Sequence, residues 1–280
     1  MSAKILDCRS LAAKYKQNIK KTLEGICLDK PVTLTVVQVG HDPASDTYIR
    51  NKQKDCEEVG IRFEHIELPV DIPFDEARNI VESIHNPVII QCPLPQHLED
   101  LPVMVDFQYD ADGLGLTNTA LLYNTGMAEF TPCTPNGIMC ILEENDIPIA
   151  GQNVCIVGRS NIVGKPLAHM MMAEDATVTV CHSKTRDLAE HTRQADILVS
   201  AVGKTGLITS DMVKPGAVVI DVGINRNSEG KLCGDVDFDA VKEIAGAITP
   251  VPGGVGLMTR AMLLTTVLLY AHLYAPREQQ

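Results

Sequence analysis

VCIVGRSNIVGKP, residues 154–166, is the stretch on which the reading of this chain turns. Val154-Cys155-Ile156-Val157 is a continuous apolar, β-prone run, as expected of a strand buried on both faces of a parallel sheet. Gly158 ends it. Gly158 and Gly164 then bracket a turn in which backbone can come close to a ligand. The helix that follows, over about 164–173, carries Pro166 in its first turn, where a missing N–H costs nothing. Such a helix start is expected to aim unpaired N–H groups at an anion. The spacing departs from G-x-G-x-x-G, so on its own it fits a structural glycine turn as well as a dinucleotide site.

The neighbouring sequence favours the dinucleotide site. Thr177-Val178-Thr179-Val180-Cys181 is a second strand about one helix later, residues 196–201 (DILVSA) a third and 217–222 (AVVIDV) a fourth, each followed by a glycine-containing turn. A βαβ series of this kind builds a doubly wound parallel sheet with its ligand at the carboxyl ends of the strands. A site selective for NAD places an acid near the end of the second strand, about 20 residues past the glycines. Here that strand runs into His182-Ser183-Lys184-Thr185, with no carboxylate. A hydroxyl, a cation and Arg159 in the first turn suit a 2′-phosphate, which predicts NADP; the alternative is that Arg159 and Lys184 are merely solvated.

At 280 residues and 45% apolar content, the chain is long enough for two ordinary domains and needs no staples. Nine cysteines without a C-x-x-C pair, and no apolar leader near the start, predict reduced thiols in a cytoplasm. A net charge of −12 argues against nucleic acid as a partner, because phosphate binding needs a basic surface. The eight histidines show no metal-ligand spacing, so no metal site is expected. No apolar run reads as membrane-spanning, and no membrane partner is expected.

From the amino terminus, Ser10 is placed to cap a helix whose apolar residues Leu11, Tyr15, Ile19 and Leu23 share one face. Residues 33–39 (TLTVVQV) read as a buried strand that ends at Gly40, and Asp42 or Ser45 caps the next helix. On that helix Tyr48 and Lys52 are four apart and share a face, with Cys56 one turn further on. A ring beside an amine offers a surface to stack a heterocycle and a group to carry a proton; to act as a base near neutrality the amine must be partly desolvated. On spacing alone, a surface lysine on an ordinary amphipathic helix is the simpler account. Residues 62–68 read as an alternating strand, 74–85 as a helix and 88–91 as a short buried strand that Cys92-Pro93-Leu94-Pro95 cuts off. Gln91 falls at that strand's carboxyl end, where a glutamine either serves a ligand or satisfies backbone. Asp110 and Asp112 lie in one turn, as turn-formers or as an acid facing a ligand. Thr131-Pro132-Cys133-Thr134-Pro135 is a rigid connector near a domain junction, with Thr134 placed to cap a helix from Pro135 to about Asn145. Near the end, residues 248–256 (ITPVPGGVG) form a Gly/Pro-rich loop, either punctuation or a backbone cradle, before an apolar helix from Thr259 to about Tyr274.

Taken in order, VGHDPASDTYIRNKQKDCEEVGI (39–61), IIQCPLPQH (89–97), DADG (110–113), TPCTPNGI (131–138), VGRSNIVGKP (157–166), CHSKT (181–185), DILVSAVGK (196–204), PGAVVIDVGIN (215–225), GDVDF (234–238) and TPVPGGVG (249–256) resemble the bifunctional methylenetetrahydrofolate dehydrogenase/methenyltetrahydrofolate cyclohydrolase family over nearly the whole chain. The resemblance implies two α/β domains with a cleft between them. Residues 1–118 with 262–280 would form a catalytic, folate-binding domain, and residues 119–261 a Rossmann-like NADP-binding domain. It also implies a homodimer acting on one-carbon derivatives of tetrahydrofolate: NADP-dependent oxidation of the 5,10-methylene form to the 5,10-methenyl form, then hydrolysis to 10-formyltetrahydrofolate. By the same resemblance Lys52 is the key catalytic residue, Tyr48 stacks on the folate, Gln91 tunes the lysine, Asp112 holds the pterin, and Pro252, Gly253 and Gly254 contribute to the folate site. Gly158, Arg159, Ser160, Val163, Gly164, Ser183 and Ile224 would hold the cofactor. Tyr109, Cys92 and Leu257 depart from the lysine, leucine and proline usual in the family, which bears on the pocket's shape and the balance of the two activities. The competing readings are a dehydrogenase with weak or absent cyclohydrolase activity and a non-catalytic folate- or nucleotide-binding regulator.

Overall fold

Buried apolar strands alternate with helices along almost all of the chain, and a computed structural model describes residues 2–126 and 128–276. In order, the elements are β1 (Lys4–Ile5), α1 (Cys8–Glu24), β2 (Thr33–Val39), α2 (Pro43–Val59), β3 (Arg62–Leu68), α3 (Phe74–Glu82), β4 (Val88–Ile90), α4 (Leu116–Thr125), α5 (Cys133–Glu143) and β5 (Asn153–Val157). They continue as α6 (Gly164–Ala173), β6 (Thr177–Cys181), α7 (Leu188–Thr192), β7 (Ile197–Ser200), β8 (Val218–Asp221), β9 (Asn225–Arg226), β10 (Leu232–Cys233), α8 (Phe238–Val241), β11 (Ala247–Ile248) and α9 (Val255–Leu273). The fold is two-domain α/β. One compact unit comprises Met1–Ala12, Leu122–Met127 and Thr134–Thr259, and the other Ala13–Leu121, Ala128–Cys133 and Arg260–Gln280.

In the first of these units the apolar runs found in the sequence become the centre of a six-stranded parallel sheet, in the order β1-β11-β8-β7-β5-β6. Cys155, Val157, Leu198, Val219 and Ile248 pack into one core on one face of it, and the alternate residues Val154, Ile156, Val199 and Ile220 are buried too, which is why these strands are apolar on both faces. In the other unit β2 lies between β3 and β4 in a three-stranded parallel sheet, with Val36 opposite His65 on one side and Ile89 on the other. Val37, Ile90, Leu68, Ala77 and Val81 fill its core, so the central strand is buried along nearly its whole length.

Several expectations are corrected. β1 pairs with β11, so the first twelve residues belong to the unit with the six-stranded sheet rather than with a domain beginning at residue 1, and residues 277–280 of the expected range lie outside the described ones. α1 starts at Cys8, and its cap is Asp7, whose carboxylate accepts from the Ser10 N–H at 3.0 Å and the Ser10 hydroxyl at 2.7 Å. α5 starts at Cys133, so Thr134 is inside the helix, and its hydroxyl meets that of Thr259 at 3.0 Å instead of capping. α9 begins at Val255, four residues earlier than expected, and at 19 residues it is long and apolar enough to cross a bilayer, contrary to the expectation that no run would be. Its apolarity has a different cause: Met258, Ala261, Met262, Leu264, Val267 and Ala271 are all buried inside the protein.

Candidate active site

The helix carrying Tyr48 and Lys52 is fixed at both ends. Asp42 accepts from the Ser45 N–H at 2.8 Å and the Ser45 hydroxyl at 2.9 Å, and Gly60 closes the helix at φ +86° with its N–H bonded to Cys56. Buried Gln38, near the end of β2, ties the first turn to the sheet: its amide donates to Asp46 at 2.9 Å while its carbonyl meets His65 Nε2 at 2.9 Å. Lys52 is thereby delivered to the carboxyl end of β4. There Lys52 Nζ donates to Gln91 Oε1 at 2.8 Å, and Gln91 Nε2 donates to the Cys92 carbonyl at 2.7 Å, so the amide can present only its oxygen to the amine.

Asp112 completes the group. Burial pushes the Lys52 ammonium below its ordinary pKa, the Asp112 carboxylate being the main opposing influence. Burial likewise raises the Asp112 carboxyl, with Lys52 and the Cys133 thiol pulling it back. Cys133 is buried, its thiol 3.4 Å from the Ala111 carbonyl, and burial beside Asp112 holds that thiol well above its usual value. Gly113 makes this approach feasible: at φ +67°, a Cβ there would lie 2.5 Å from the Thr131 backbone, so only glycine lets residues 131–133 cross so close. The two acids of the turn have separate tasks. Asp110 accepts from Leu114 N at 3.1 Å, Gly115 N at 2.7 Å and Asn118 Nδ2 at 2.9 Å, and is the turn-former; burial lifts its carboxyl to about 6.

In the other unit the two glycines of the opening stretch are both required by packing. Gly158 sits at φ +132°, where a Cβ would be 2.4 Å from the Ala201 carbonyl, and a Cβ on Gly164 would be 2.1 Å from the Gly158 carbonyl. The expected row of unpaired N–H groups at the start of α6 is not present. Ser160 turns its hydroxyl inward to accept from Val163 N at 3.1 Å, its carbonyl accepts from Lys165 N at 3.1 Å, and Pro166 has no donor, so most of the first turn is satisfied locally. Arg159 is exposed and makes no hydrogen bond or ion pair among the described residues, and Ser183 and Lys184 are exposed just past the end of β6, neither paired with a carboxylate among the described residues. Ile224 is 47% exposed after β8. Pro252, Gly253 and Gly254 belong to this unit, in a tight loop where Gly253 has φ +104° and a Cβ on Gly254 would be 2.2 Å from the Pro250 carbonyl. The donor set of open guanidinium, ammonium and hydroxyl, over glycines that keep the backbone bare, fits a dinucleotide with a 2′-phosphate.

Two buried carboxylates hold the loops beyond β7 and β8, and sequence reading missed both. Asp235 is fully buried and accepts from Ser200 Oγ (3.1 Å), Val202 N (2.8 Å), Gly203 N (3.3 Å), Lys204 N (2.7 Å) and Asn225 Nδ2 (2.9 Å). Asp221 accepts from Gly223 N, Asp235 N and Val236 N, each at 3.0 Å, and burial raises its carboxyl to about 6. The available signal was an acid ending an apolar strand run, AVVID, which only a ring of backbone donors makes tolerable. Cys133 lies beside Asp112 without any local sequence signal to mark it.

The tetrahydrofolate dehydrogenase/cyclohydrolase catalytic-domain model matches residues 6–112, and the NAD(P)-binding-domain model of the same family matches residues 132–275. A bifunctional protein FolD of Nitrosospira multiformis is 51% identical over 97% of this chain and 96% of its own length. The structure of a bifunctional FolD methylenetetrahydrofolate dehydrogenase/cyclohydrolase from Campylobacter jejuni, 40% identical, superposes with a TM-score of 0.90 over 97% of this chain and 99% of that one. The Trypanosoma brucei enzyme, solved with NADP cofactor and an inhibitor, is 33% identical with a TM-score of 0.89, covering 96% of this chain and 97% of its own. With an amine, an amide and an acid gathered at one sheet end and a glycine turn at the other sheet, this chain belongs to the tetrahydrofolate dehydrogenase/cyclohydrolase family.

Proposed function

We propose that Lys52, Gln91, Asp112 and Tyr48 carry both reactions of a bifunctional enzyme: NADP-dependent oxidation of 5,10-methylenetetrahydrofolate to the methenyl form, and hydrolysis of that cation to 10-formyltetrahydrofolate. The observation that carries this reading is the Lys52–Gln91 bond of 2.8 Å, in which a desolvated amine faces an amide of fixed orientation. Tyr48 stacks on the pterin and Asp112 hydrogen-bonds it, which brings the one-carbon unit to Lys52. In the hydrolysis, Lys52 in its neutral form takes a proton from the attacking water and returns it to the ring nitrogen as the C–N bond breaks, the remaining hydroxyl proton leaves to solvent as the formyl carbonyl forms, and Gln91 keeps the amine aimed through both transfers. The oxidation makes no comparable demand on a base, because the folate nitrogen's own lone pair stabilises the cation; positioning suffices. NADP, when bound, supplies the hydride acceptor. Gly158 and Gly164 allow the tight turn over which it lies, Arg159, Ser160 and Ser183 hold its phosphates, and Val163 and Ile224 cover apolar ring surface. Pro252, Gly253 and Gly254 offer backbone to the substrate. Following reduced nicotinamide and the methenyl product separately tests the reading: a dehydrogenase that accumulates the methenyl compound would remove the second activity, and absence of both would leave only a binding protein.

Arg159→Ala is expected to weaken NADP by about 10- to 100-fold, the worth of a charged hydrogen-bonded pair, while NAD changes by less than threefold. Equal losses in a fluorescence titration of the two cofactors would place the 2′-phosphate elsewhere.

The protein acts in the cytoplasm as a homodimer, without nucleic acid or a membrane. Support for a dimer comes from the outer edge of the six-stranded sheet, where β6 is the last strand, Val180 is 38% exposed and Met172 of α6 is 48% exposed. Val180→Lys would then yield a monomer by light scattering; an unchanged mass would move the interface off this edge. The nine cysteines are all free thiols, including Cys155 and Cys181 with sulfurs 3.8 Å apart, in keeping with a reducing compartment.

A further inference from the structure

The three-stranded sheet carries Lys52 and Gln91 at its carboxyl end. At its amino end, about 15 Å back along β2, lies a cavity of about 360 Å3 that none of the folate or cofactor residues lines. Its walls include Asp29, Lys30, Thr33, His85, Asn86 and Tyr270. Space of this size holds a small organic molecule when apolar walls meet a few fixed polar groups.

Both requirements are met. Tyr270 is 8% exposed, so its ring is a wall rather than a surface side chain. Tyr109 supports the two rings of the lining, meeting His85 at a centroid distance of 5.8 Å and Tyr270 at 6.0 Å, tilted by 56° and 50°. The lysine usual at this position in the family would give neither ring an aromatic neighbour. The polar groups are preset by bonds outside the cavity. Buried Thr35 donates its hydroxyl to Asn86 Oδ1 at 2.7 Å and its N–H to the Pro87 carbonyl at 2.8 Å, so Asn86 can offer a ligand only its NH2. His85 Nδ1 lies 2.7 Å from the Ser83 carbonyl, which can only accept, so Nδ1 carries the proton and the neutral ring offers Nε2 as an acceptor. Lys30 is exposed and makes no hydrogen bond or ion pair among the described residues.

A donor and an acceptor on neighbouring residues match the carbonyl and N–H edge of an oxopurine. They mismatch adenine, whose amino group and ring nitrogen present the reverse order. The flat base suits the Tyr270 ring, a phosphate suits Lys30, and the Asp29 carboxylate suits the exocyclic amino group of guanine. We propose that this cavity is a nucleotide site separate from the folate and dinucleotide sites, and that it takes guanosine monophosphate.

The test is titration calorimetry on the full-length protein with saturating NADP, which keeps the dinucleotide site filled. Guanosine monophosphate is expected to bind saturably, at least about tenfold tighter than adenosine monophosphate, because the wrong edge leaves donor facing donor and acceptor facing acceptor. Inorganic phosphate, which lacks the base, should be weaker by a similar factor. Lys30→Ala is expected to weaken the nucleotide about three- to tenfold and His85→Leu about tenfold. Both positions are exposed, so the melting temperature without nucleotide should not move. Lys52→Met should bind guanosine monophosphate as the unsubstituted protein does. The proposal is overturned by absence of saturable binding at millimolar nucleotide, by equal affinity for adenosine monophosphate or inorganic phosphate, or by unchanged affinity in both cavity variants. Loss of binding in Lys52→Met also overturns it, since the nucleotide would then occupy the catalytic end of the sheet.

Discussion

Lys52→Met abolishes cyclohydrolase turnover, a fall of at least about 100-fold from loss of the proton carrier, while NADP binding is unchanged. The stability consequence has the opposite sign. Burial depresses the lysine's pKa, so the folded state disfavours its ammonium, and at any pH below the ordinary lysine value that charged group works against folding. Methionine removes the penalty but leaves Gln91 Oε1 without its donor, a cost of about 1–3 kcal/mol that roughly offsets the gain. The melting temperature is therefore expected to hold or rise slightly as activity disappears, a pairing that general damage to the fold cannot produce. The wild-type hydrolysis rate should rise with pH through the depressed lysine pKa, because only the neutral amine accepts a proton. Retained hydrolysis in the methionine variant, read at the methenyl absorbance, would take Lys52 out of the mechanism.

Asp235→Ala is expected to cost at least about 3 kcal/mol of stability, since five donors lose their acceptor where water has little access. For a chain of this size that is a fall of about 6–12 °C in melting temperature. The loops beyond β7 and β8 are fastened by this carboxylate, so NADP affinity should fall with it, although Asp235 is assigned no contact with cofactor. Asp235→Asn should do nearly as badly, because its NH2 would face backbone N–H groups that need an acceptor. Calorimetry together with a cofactor titration checks both, and an unchanged melting temperature would show that the loops are held by something else.

The strand-turn-helix at 154–173 could be read directly, because each of its determinants is local: four apolar residues, two glycines and a proline near the helix start. The same is true of Tyr48 and Lys52 sharing a face, which follows from helical spacing. The division of labour between Asp110 and Asp112 could not be read, since both sit in one turn and both are acids. It depends on which accepts from Leu114, Gly115 and Asn118 within its own loop and which feels the charge of Lys52, brought from α2. Ser160 misled for a related reason: the helix start it precedes looks open until its hydroxyl is seen to fold back onto it.

By itself the sequence determined the alternation of strands and helices, the family, and the residue types available for proton transfer and phosphate binding, because these depend on side-chain identity and on spacings of a few residues. Tertiary structure alone decided that Lys52 loses water and faces an amide 39 residues away, that Asp55 pairs with Lys16 and Arg260 from two other helices, and that Asp221 and Asp235 are fasteners of loops. The physical reason is that desolvation and hydrogen-bond pairing are set by whatever segment packs on top of a residue, and the segments that do so here come from other strands and helices of the fold.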